Sequence, residues 1–304
     1  MESDRRTFIA ALLTLGSPQR PEPQRPRAAA GASPSLRDVV ARAGSYVADY
    51  DRDLGSVIAD ERYQQDVERP SSDPESRLRP DRGTPVLHRV LQSEFVLIRP
   101  TGITEFYRGF RDVIQVDGRS APDRPNIQAQ FTQGGDLGPA DVRRLIDASA
   151  RYNIGALTRN VNVPTLALLV IHPRVSERFA FERRGDAHIG DVRAWLLGFR
   201  ERDRPTLIRD VDGSDMPASG TLWVDPATGR VLRTDLATEK RATHLRARIV
   251  VTYQPDAKLG QWVPAEMTED YHAGRPNSFD EQTIHCVATY SNYRRFEVTV
   301  RIRP

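Results

Sequence analysis

Cysteine and lysine are nearly absent from this chain of 304 residues. Cys286 is the single cysteine, so no disulfide can form within the chain, and we expect its thiol to be a small buried core group. Lysine occurs only at Lys240 and Lys258. Residues 1–34 hold five arginines against three acidic residues and so contribute +2 of the formal net charge of +3. The other arginines are scattered, and without a basic patch we expect no nucleic-acid partner.

Long apolar runs are also missing. No stretch reaches the roughly 18 apolar residues that a membrane helix needs, so we expect no transmembrane segment. The shorter run Phe8–Leu15 follows Arg5 and Arg6, a pattern that resembles a twin-arginine export signal. We therefore expect residues 1–34 to be a leader and disordered segment, cleaved near Ala30–Ala32, of a protein exported to the periplasm. The alternative is a disordered tail on a cytoplasmic protein. Since no cysteine follows the run, we expect no lipid-anchored N-terminus.

Recognisable catalytic motifs are missing as well. The chain has neither a Gly-x-Ser-x-Gly elbow nor a Ser-x-x-Lys pair. Its six histidines lack the His-x-x-x-His spacing by which one helix presents two ligands to a metal. We therefore expect no catalytic residue, no metal site and no cofactor, and we favour a protein that is not an enzyme.

Two polar segments qualify this expectation. The first occupies one face of a predicted strand and consists of Glu266, Thr268, Asp270 and His272. Because apolar residues alternate with them, the pattern predicts a solvated outer face. The alternative is an acid/base site, since the same spacing could bring two carboxylates and an imidazole together. The second segment, Asp60-Glu61-Arg62, is likewise interpreted as surface charge, with a polar site as the alternative.

Helix and strand signals alternate in the N-terminal half. Ser35 opens a capping-box-like pattern with apolar residues at helical spacing behind it, which predicts a first helix. Pro139 begins a second helix, which we expect Gly155 to end. The run Leu166–Ile171 predicts a short third helix that must be buried, because it is too apolar for a surface. Strands are predicted at 57–67, 86–99 and 104–116, and a mobile loop at 68–85.

Strands and turns dominate from about residue 176 onward. Asp225–Gly229 supplies turn residues between two apolar segments, which predicts a hairpin. The predicted strands of this half, most of them marked by alternation, are 192–199, 221–225, 230–238, 245–253 and 296–302. We find no repeat, and no linker after residue 85, so we expect one domain, 35–304, built on one continuous sheet.

The hairpin carries a family resemblance. Leu222-Trp-Val-Asp-Pro-Ala-Thr-Gly-Arg-Val-Leu-Arg233, followed by Gly260-Gln-Trp-Val-Pro264, resembles the central hairpins of the outer-membrane lipoprotein-carrier (LolA-type) superfamily and of uncharacterised exported bacterial proteins that share this hairpin. The resemblance implies an α+β fold, in which a curved, mostly antiparallel β-sheet forms a half-barrel with helices packed on its concave face. It also implies an apolar cavity that holds acyl chains without covalent chemistry.

Three functional hypotheses follow. The first is a non-enzymatic envelope protein that binds a lipid or other apolar ligand between the sheet and its helices. The second is a protein-binding or scaffold module of the cell envelope, whose sheet is filled by core side chains. The third is an enzyme with a dispersed acid/base site on the face of Glu266, Asp270 and His272. The first hypothesis makes ligand-lining candidates of Leu166, Leu168, Leu169, Trp195, Phe199, Trp223, Tyr253 and Trp262.

Overall fold

The structure, a computed structural model, describes much of the chain. The described residues are 6–10, 33–54, 56–68, 86–98, 108–122, 124, 126, 127, 129, 139–159, 161–275, 278 and 281–296. Among them, no helix is both long enough and apolar enough to cross a membrane.

Helices are a minor part of the described structure. The α-helices are α1 (Leu36–Asp53) and α2 (Pro139–Ala150). Short 3-10 helices span Leu166–Ile171, Ser176–Arg178 and Arg241–Thr243.

Strands make up most of the fold. They are β1 (Arg6–Ala10), β2 (Ser56–Glu68), β3 (Val86–Ile98), β4 (Arg108–Val116), β5 (Arg119–Ser120), β6 (Leu157–Thr158), β7 (Phe179–Ile189), β8 (Val192–Glu201), β9 (Ile208–Asp210), β10 (Asp215–Met216), β11 (Ala218–Val224), β12 (Val231–Lys240), β13 (Leu245–Asp256), β14 (Gln261–Ala273) and β15 (Gln282–Arg295).

Eleven strands form one open antiparallel sheet in the order β5-β4-β3-β2-β15-β14-β13-β12-β11-β8-β7. Register shifts interrupt five of its strand pairs, among them β13–β14 and β15–β2. Such bulges bend a strand and increase its twist. The sheet curves into the half-barrel that the hairpin resemblance implies, and the α+β fold class is confirmed.

The inward-pointing side chains of the strands fill the concave face of the sheet. On β13 the inward side chains are buried, and the residues between them are exposed or half-buried. The inward residues of this strand are Leu245, Ala247, Ile249, Val251 and Tyr253. They belong to a large core cluster that also takes in α1 and the 3-10 helix Leu166–Ile171.

Helix α1 packs on the concave face and begins where the sequence predicts. The Ser35 hydroxyl accepts a hydrogen bond from the Asp38 backbone N–H at 3.2 Å, and the Asp38 carboxylate accepts one from the Ser35 backbone N–H at 3.1 Å. This reciprocal pair satisfies two backbone donors that a helix start otherwise leaves unpaired. The buried stripe of the helix, with Val39, Ala43 and Val47, enters the core cluster.

Helix α2 packs against the opposite face of the sheet. Its Val142 and Leu145 form a second cluster with Ile58, Val96 and Phe110, among other residues. Ile58 lies between the inward residues 57 and 59, so its side chain points outward. The helix ends at Ala150 rather than continuing toward Gly155.

The structure corrects the expectation of a single sheet. A second sheet has the order β10-β9-β1-β6, in which β1 pairs with β9 antiparallel and with β6 parallel. The apolar run expected to belong to a leader therefore contributes a strand.

Strand boundaries follow the alternation closely where they can be compared. The segments predicted at 57–67, 86–99 and 104–116 are observed as β2, β3 and β4. The strand predicted at 296–302 lies outside the described residues, except for Phe296, which directly follows β15. The loop predicted at 68–85 is also outside them, apart from Glu68 at the end of β2.

Candidate functional site

The concave face is occupied by the apolar run that the sequence predicts to be buried. We call Leu166–Ile171 the plug; it is a 3-10 helix, and all six of its residues are buried. It lies between Pro164 and Pro173 and contacts α1 and β12. Backbone hydrogen bonds at its ends are local, from Leu166 N–H to Val163 and from His172 N–H to Leu169.

Most of the predicted ligand-lining residues belong to the core cluster that contains the plug. The buried candidates, all members of the core cluster, are Leu166, Leu168, Leu169, Trp195, Phe199 and Tyr253. Tyr253 also fixes the chain just before the plug, since its hydroxyl donates to the Pro164 carbonyl at 2.8 Å.

Two predicted lining residues are only half-buried. Trp223 lies between Leu222 and Val224, which point into the core, so its ring is on the outer face beneath the Arg233 guanidinium, 5.0 Å from the ring centroid. Trp262 packs against the core cluster, with the Arg230 guanidinium 5.2 Å from its ring centroid.

Beside the plug, the concave face holds charged and polar side chains, of which the sequence pattern singled out only Glu61. We call this group the polar cluster; it comprises Glu61, Tyr63, Gln65, Arg111, Arg159, Glu269 and Tyr271. Each of these residues is at most 3% exposed. Buried charges are costly unless they are paired or hydrogen-bonded, so the partners of each charged group decide how it is stabilised.

Glu61 and Arg111 neutralise each other. The Arg111 Nη2 donates to Glu61 Oε1 at 2.7 Å, and its Nε donates to Oε2. The guanidinium also lies 3.9 Å from the centroid of the Tyr63 ring. Burial lowers the pKa of Arg111, but the charge and hydrogen bonds of Glu61 outweigh it, and the pKa lies above its ordinary value. The interpretation of Glu61 as surface charge is therefore wrong, because Glu61 points inward while Arg62 is exposed.

Glu269 is a buried carboxylate without a direct basic partner. Its Oε2 accepts hydrogen bonds from the Tyr271 hydroxyl and, at 3.4 Å, from the Tyr63 hydroxyl. Its Oε1 has no hydrogen-bond partner among the described residues. Burial raises the pKa of Glu269 against the opposing effects of Arg159 and these hydroxyls. The surroundings thus favour the neutral carboxylic acid.

Arg159 reaches the cluster from residues 151–159, which we call the strap. Two buried glutamines hold the strap on the sheet: Gln65 accepts from the Ile154 N–H at 3.1 Å, and Gln282 accepts from the Ala156 N–H at 2.7 Å. Gly155 is required between them, since its φ is +95° and a Cβ there would lie 2.7 Å from the Gln282 amide oxygen.

Cys286 lies next to this cluster and behaves as the sequence predicts. It is fully buried, and burial raises the pKa of its thiol to about 12. A thiol in this state is a poor nucleophile, because the thiolate is the reactive form.

The polar face of β14 is outward, as the alternation predicts. Glu266 is exposed, and the other members of the face are half-buried. Asp270 pairs across the strands with His285, whose Nδ1 is 2.7 Å from its carboxylate. Among the described residues, no three His, Cys, Asp or Glu side chains are grouped so that they could hold a metal ion.

Sequence parity could have located the inward charges. Glu269 occupies the position between Met267 and Tyr271, two residues that the alternation assigns to the inner face. Glu61 stands in the same relation to Ala59 and Tyr63 on β2. The signal in both cases is a charged residue at a position that strand alternation assigns to the inner face. Arg159 has no such signal, because it follows a two-residue strand that is too short to show alternation.

The comparisons with known proteins concern the fold. No family model and no curated protein matches the chain. A domain described as an outer membrane lipoprotein-sorting protein, from Vibrio parahaemolyticus, is 12% identical with a TM-score of 0.37, over 84% of this chain and 91% of that one. A DUF1329 family protein from Desulfovibrio piger is 13% identical with a TM-score of 0.33, over 86% and 92%. A LolA superfamily protein from Nitrosomonas europaea is 11% identical with a TM-score of 0.29, over 84% and 94%.

All three are solved structures under 25% identical to this chain, with TM-scores below 0.5. The function of this chain therefore rests on its own residues.

Proposed function

We propose that this protein is a non-enzymatic carrier that binds the acyl chain of a lipid between its curved sheet and the plug. The observation that supports the proposal is the plug itself. Six consecutive apolar residues lie inside the half-barrel as a 3-10 helix, buried to the level of core residues. They occupy the place that an acyl chain would take.

The plug is suited to leave that place. The hydrogen bonds at its ends are local, so its departure breaks no pairing within the eleven-stranded sheet. Pro164 and Pro173 bound it on both sides. Departure would expose the apolar surface of the plug and of the sheet beneath it, at a cost of roughly 25 cal/mol for each Å². An acyl chain that enters the same space covers the apolar surface of the sheet again and so offsets that part of the free-energy cost.

The alternative function is a protein-binding module of the envelope. It is favoured by the exposure of the plug residues, which is at most 7% and matches that of an ordinary core. In that hypothesis the plug never leaves, and partners bind elsewhere on the surface.

Native mass spectrometry of the purified full chain tests the proposal. We expect adducts with the mass of a lipid or fatty acid, and, after lipid removal, saturable binding of a fluorescent fatty-acid probe. Absence of both adducts and probe binding would reject the carrier and leave the protein-binding module.

The proposal extends to location. A carrier of this kind would act in the periplasm, which agrees with the export signal expected from Arg5 and Arg6.

A further inference from the structure

The buried guanidinium of Arg159 has hydrogen-bonding capacity that the protein does not use. Arg159 is fully buried, yet among the described residues no carboxylate lies within salt-bridge distance of it. Its Nη1 donates to the Ile154 carbonyl at 2.9 Å, and its Nη2 donates to the Gln65 side-chain oxygen. Its Nε has no hydrogen-bond partner among those residues. All the acceptors that it does have are uncharged.

No other charge of the polar cluster forms a direct ion pair with this cation. Arg111 and Glu61 cancel each other in a direct ion pair. Glu269 is bound by two tyrosine hydroxyls, and its burial favours the neutral acid. The cluster therefore has a net charge of about +1 whenever Glu269 is protonated. A buried cation without a counter-ion is costly, which makes the site complementary to an anion.

The position of Arg159 relates the cluster to the plug. The plug begins at Leu166, a few residues after Arg159 in the chain, and Val161 between them belongs to the same core cluster as the plug. The concave face thus has an apolar part under the plug and a cationic part under the strap. A molecule that matches both parts has an apolar chain and an anionic head.

We propose that Arg159 binds the anionic head group of the amphiphile whose acyl chain replaces the plug. This inference rests on the proposed function. A guanidinium presents N–H donors in a planar fork that fits the oxygens of a carboxylate or a phosphate. In the complex, the head group accepts a hydrogen bond from the unused Nε–H of Arg159.

Head-group recognition is tested on the delipidated full chain with two ligands of equal chain length, oleate and oleyl alcohol, at pH 8. Each is titrated by displacement of a fluorescent fatty-acid probe. We expect the parent to bind oleate about tenfold more tightly than the alcohol, as one charge-assisted interaction allows. Arg159→Gln should lose this preference and retain its affinity for the alcohol. Lysophosphatidic acid with the same chain distinguishes a phosphate head from a carboxylate.

Arg151→Gln is the matched control, because it removes a positive charge from an exposed position of the same strap. It should retain the preference for oleate. Arg159→Lys, which keeps the charge but loses the planar fork of donors, should bind oleate with intermediate affinity. It replaces Arg159→Gln in the test if the Gln variant does not fold.

The outcomes separate the two proposals. Equal affinity of the parent for oleate and oleyl alcohol overturns head-group recognition and leaves the carrier function intact. If neither ligand binds, the carrier function itself is overturned.

Discussion

Glu269 shows how an inward position of a strand changes the chemistry of a carboxyl group. Glu266 lies three residues earlier on the same strand and is exposed, whereas Glu269 is fully buried among tyrosines. Alternation along β14 is the whole difference, because successive side chains point to opposite faces of a sheet.

The pH dependence of stability follows from this burial. Because burial raises the pKa of Glu269 in the folded protein, its contribution to stability is full below the ordinary value of 4.5 and is lost as the pH rises through the folded pKa. We expect Glu269→Gln to gain stability relative to the parent over that range. Chemical denaturation of both proteins at a series of pH values measures the difference. Glu266→Gln, the exposed control, should give a flat difference, and a Glu269→Gln variant that instead weakens with rising pH would contradict the assignment.

Cys286 is expected to be structural and unreactive. Its thiol is fully buried and has a pKa raised to about 12, so a polar thiol reagent should label the native protein slowly and the denatured protein at once. Cys286→Ala should fold and lose about 1 kcal/mol, since little volume is removed. Rapid labelling of the native chain would show that this part of the core opens.

At the scale of elements, the plug is the segment whose role has to be decided. A residue that is part of a permanent core and a residue that is part of a removable plug have the same burial in the closed state. Only the response to a perturbation distinguishes the two.

Leu168→Asp and Leu169→Asp place an unpaired charge in the plug. In a permanent core, the charge should lower the free energy of unfolding by several kcal/mol. In a removable plug, the segment moves into solvent, so folding suffers less than binding of an apolar probe. We expect the second result, measured as the thermal midpoint and the probe affinity of each variant against the parent.

Leu87→Asp is the control, because Leu87 is 50% exposed and surface changes usually stay within about 0.5 kcal/mol. If both plug variants are strongly destabilised while their folded molecules bind the probe as tightly as the parent does, the permanent core is favoured.

At the scale of the whole molecule, the sequence pattern and the fold lead to different expectations for the N-terminal segment. The paired arginines and the apolar run predict a cleaved leader, whereas Arg6–Ala10 pairs with β9 and β6 as part of the second sheet. Cleavage near residue 32 would remove β1 and leave β9 paired with β10.

Export is tested with residues 1–40 fused to a reporter that is active only outside the cytoplasm. We expect the fusion to be active, and Arg5→Lys combined with Arg6→Lys to abolish its activity, because the twin-arginine route reads that pair. N-terminal sequencing of the exported full chain then shows whether β1 is retained. An inactive parent fusion would favour the cytoplasmic alternative.

The sequence by itself determined the features that depend on local period and local hydrogen bonding. These include the capping box at Ser35, the outward face of Glu266, the burial of Cys286 and the burial of the plug. Each follows from the alternation of a strand, the spacing of a helix, or an apolar run without a surface to occupy. The hairpin at Asp225–Gly229 belongs to the same class, since its turn residues are adjacent in the chain.

Only the tertiary structure decided which inward polar residues meet. Glu61 and Arg111 are 50 residues apart, and Tyr63 and Glu269 are 206 residues apart. Alternation predicts that such residues point inward, but it does not give the strand order, in which β15 lies between β2 and β14. The path of the strap is equally non-local, because two glutamines on different strands hold it. The burial of Arg159 without a direct ion-pair partner arises from these long-range contacts, and for that reason no local pattern predicts it.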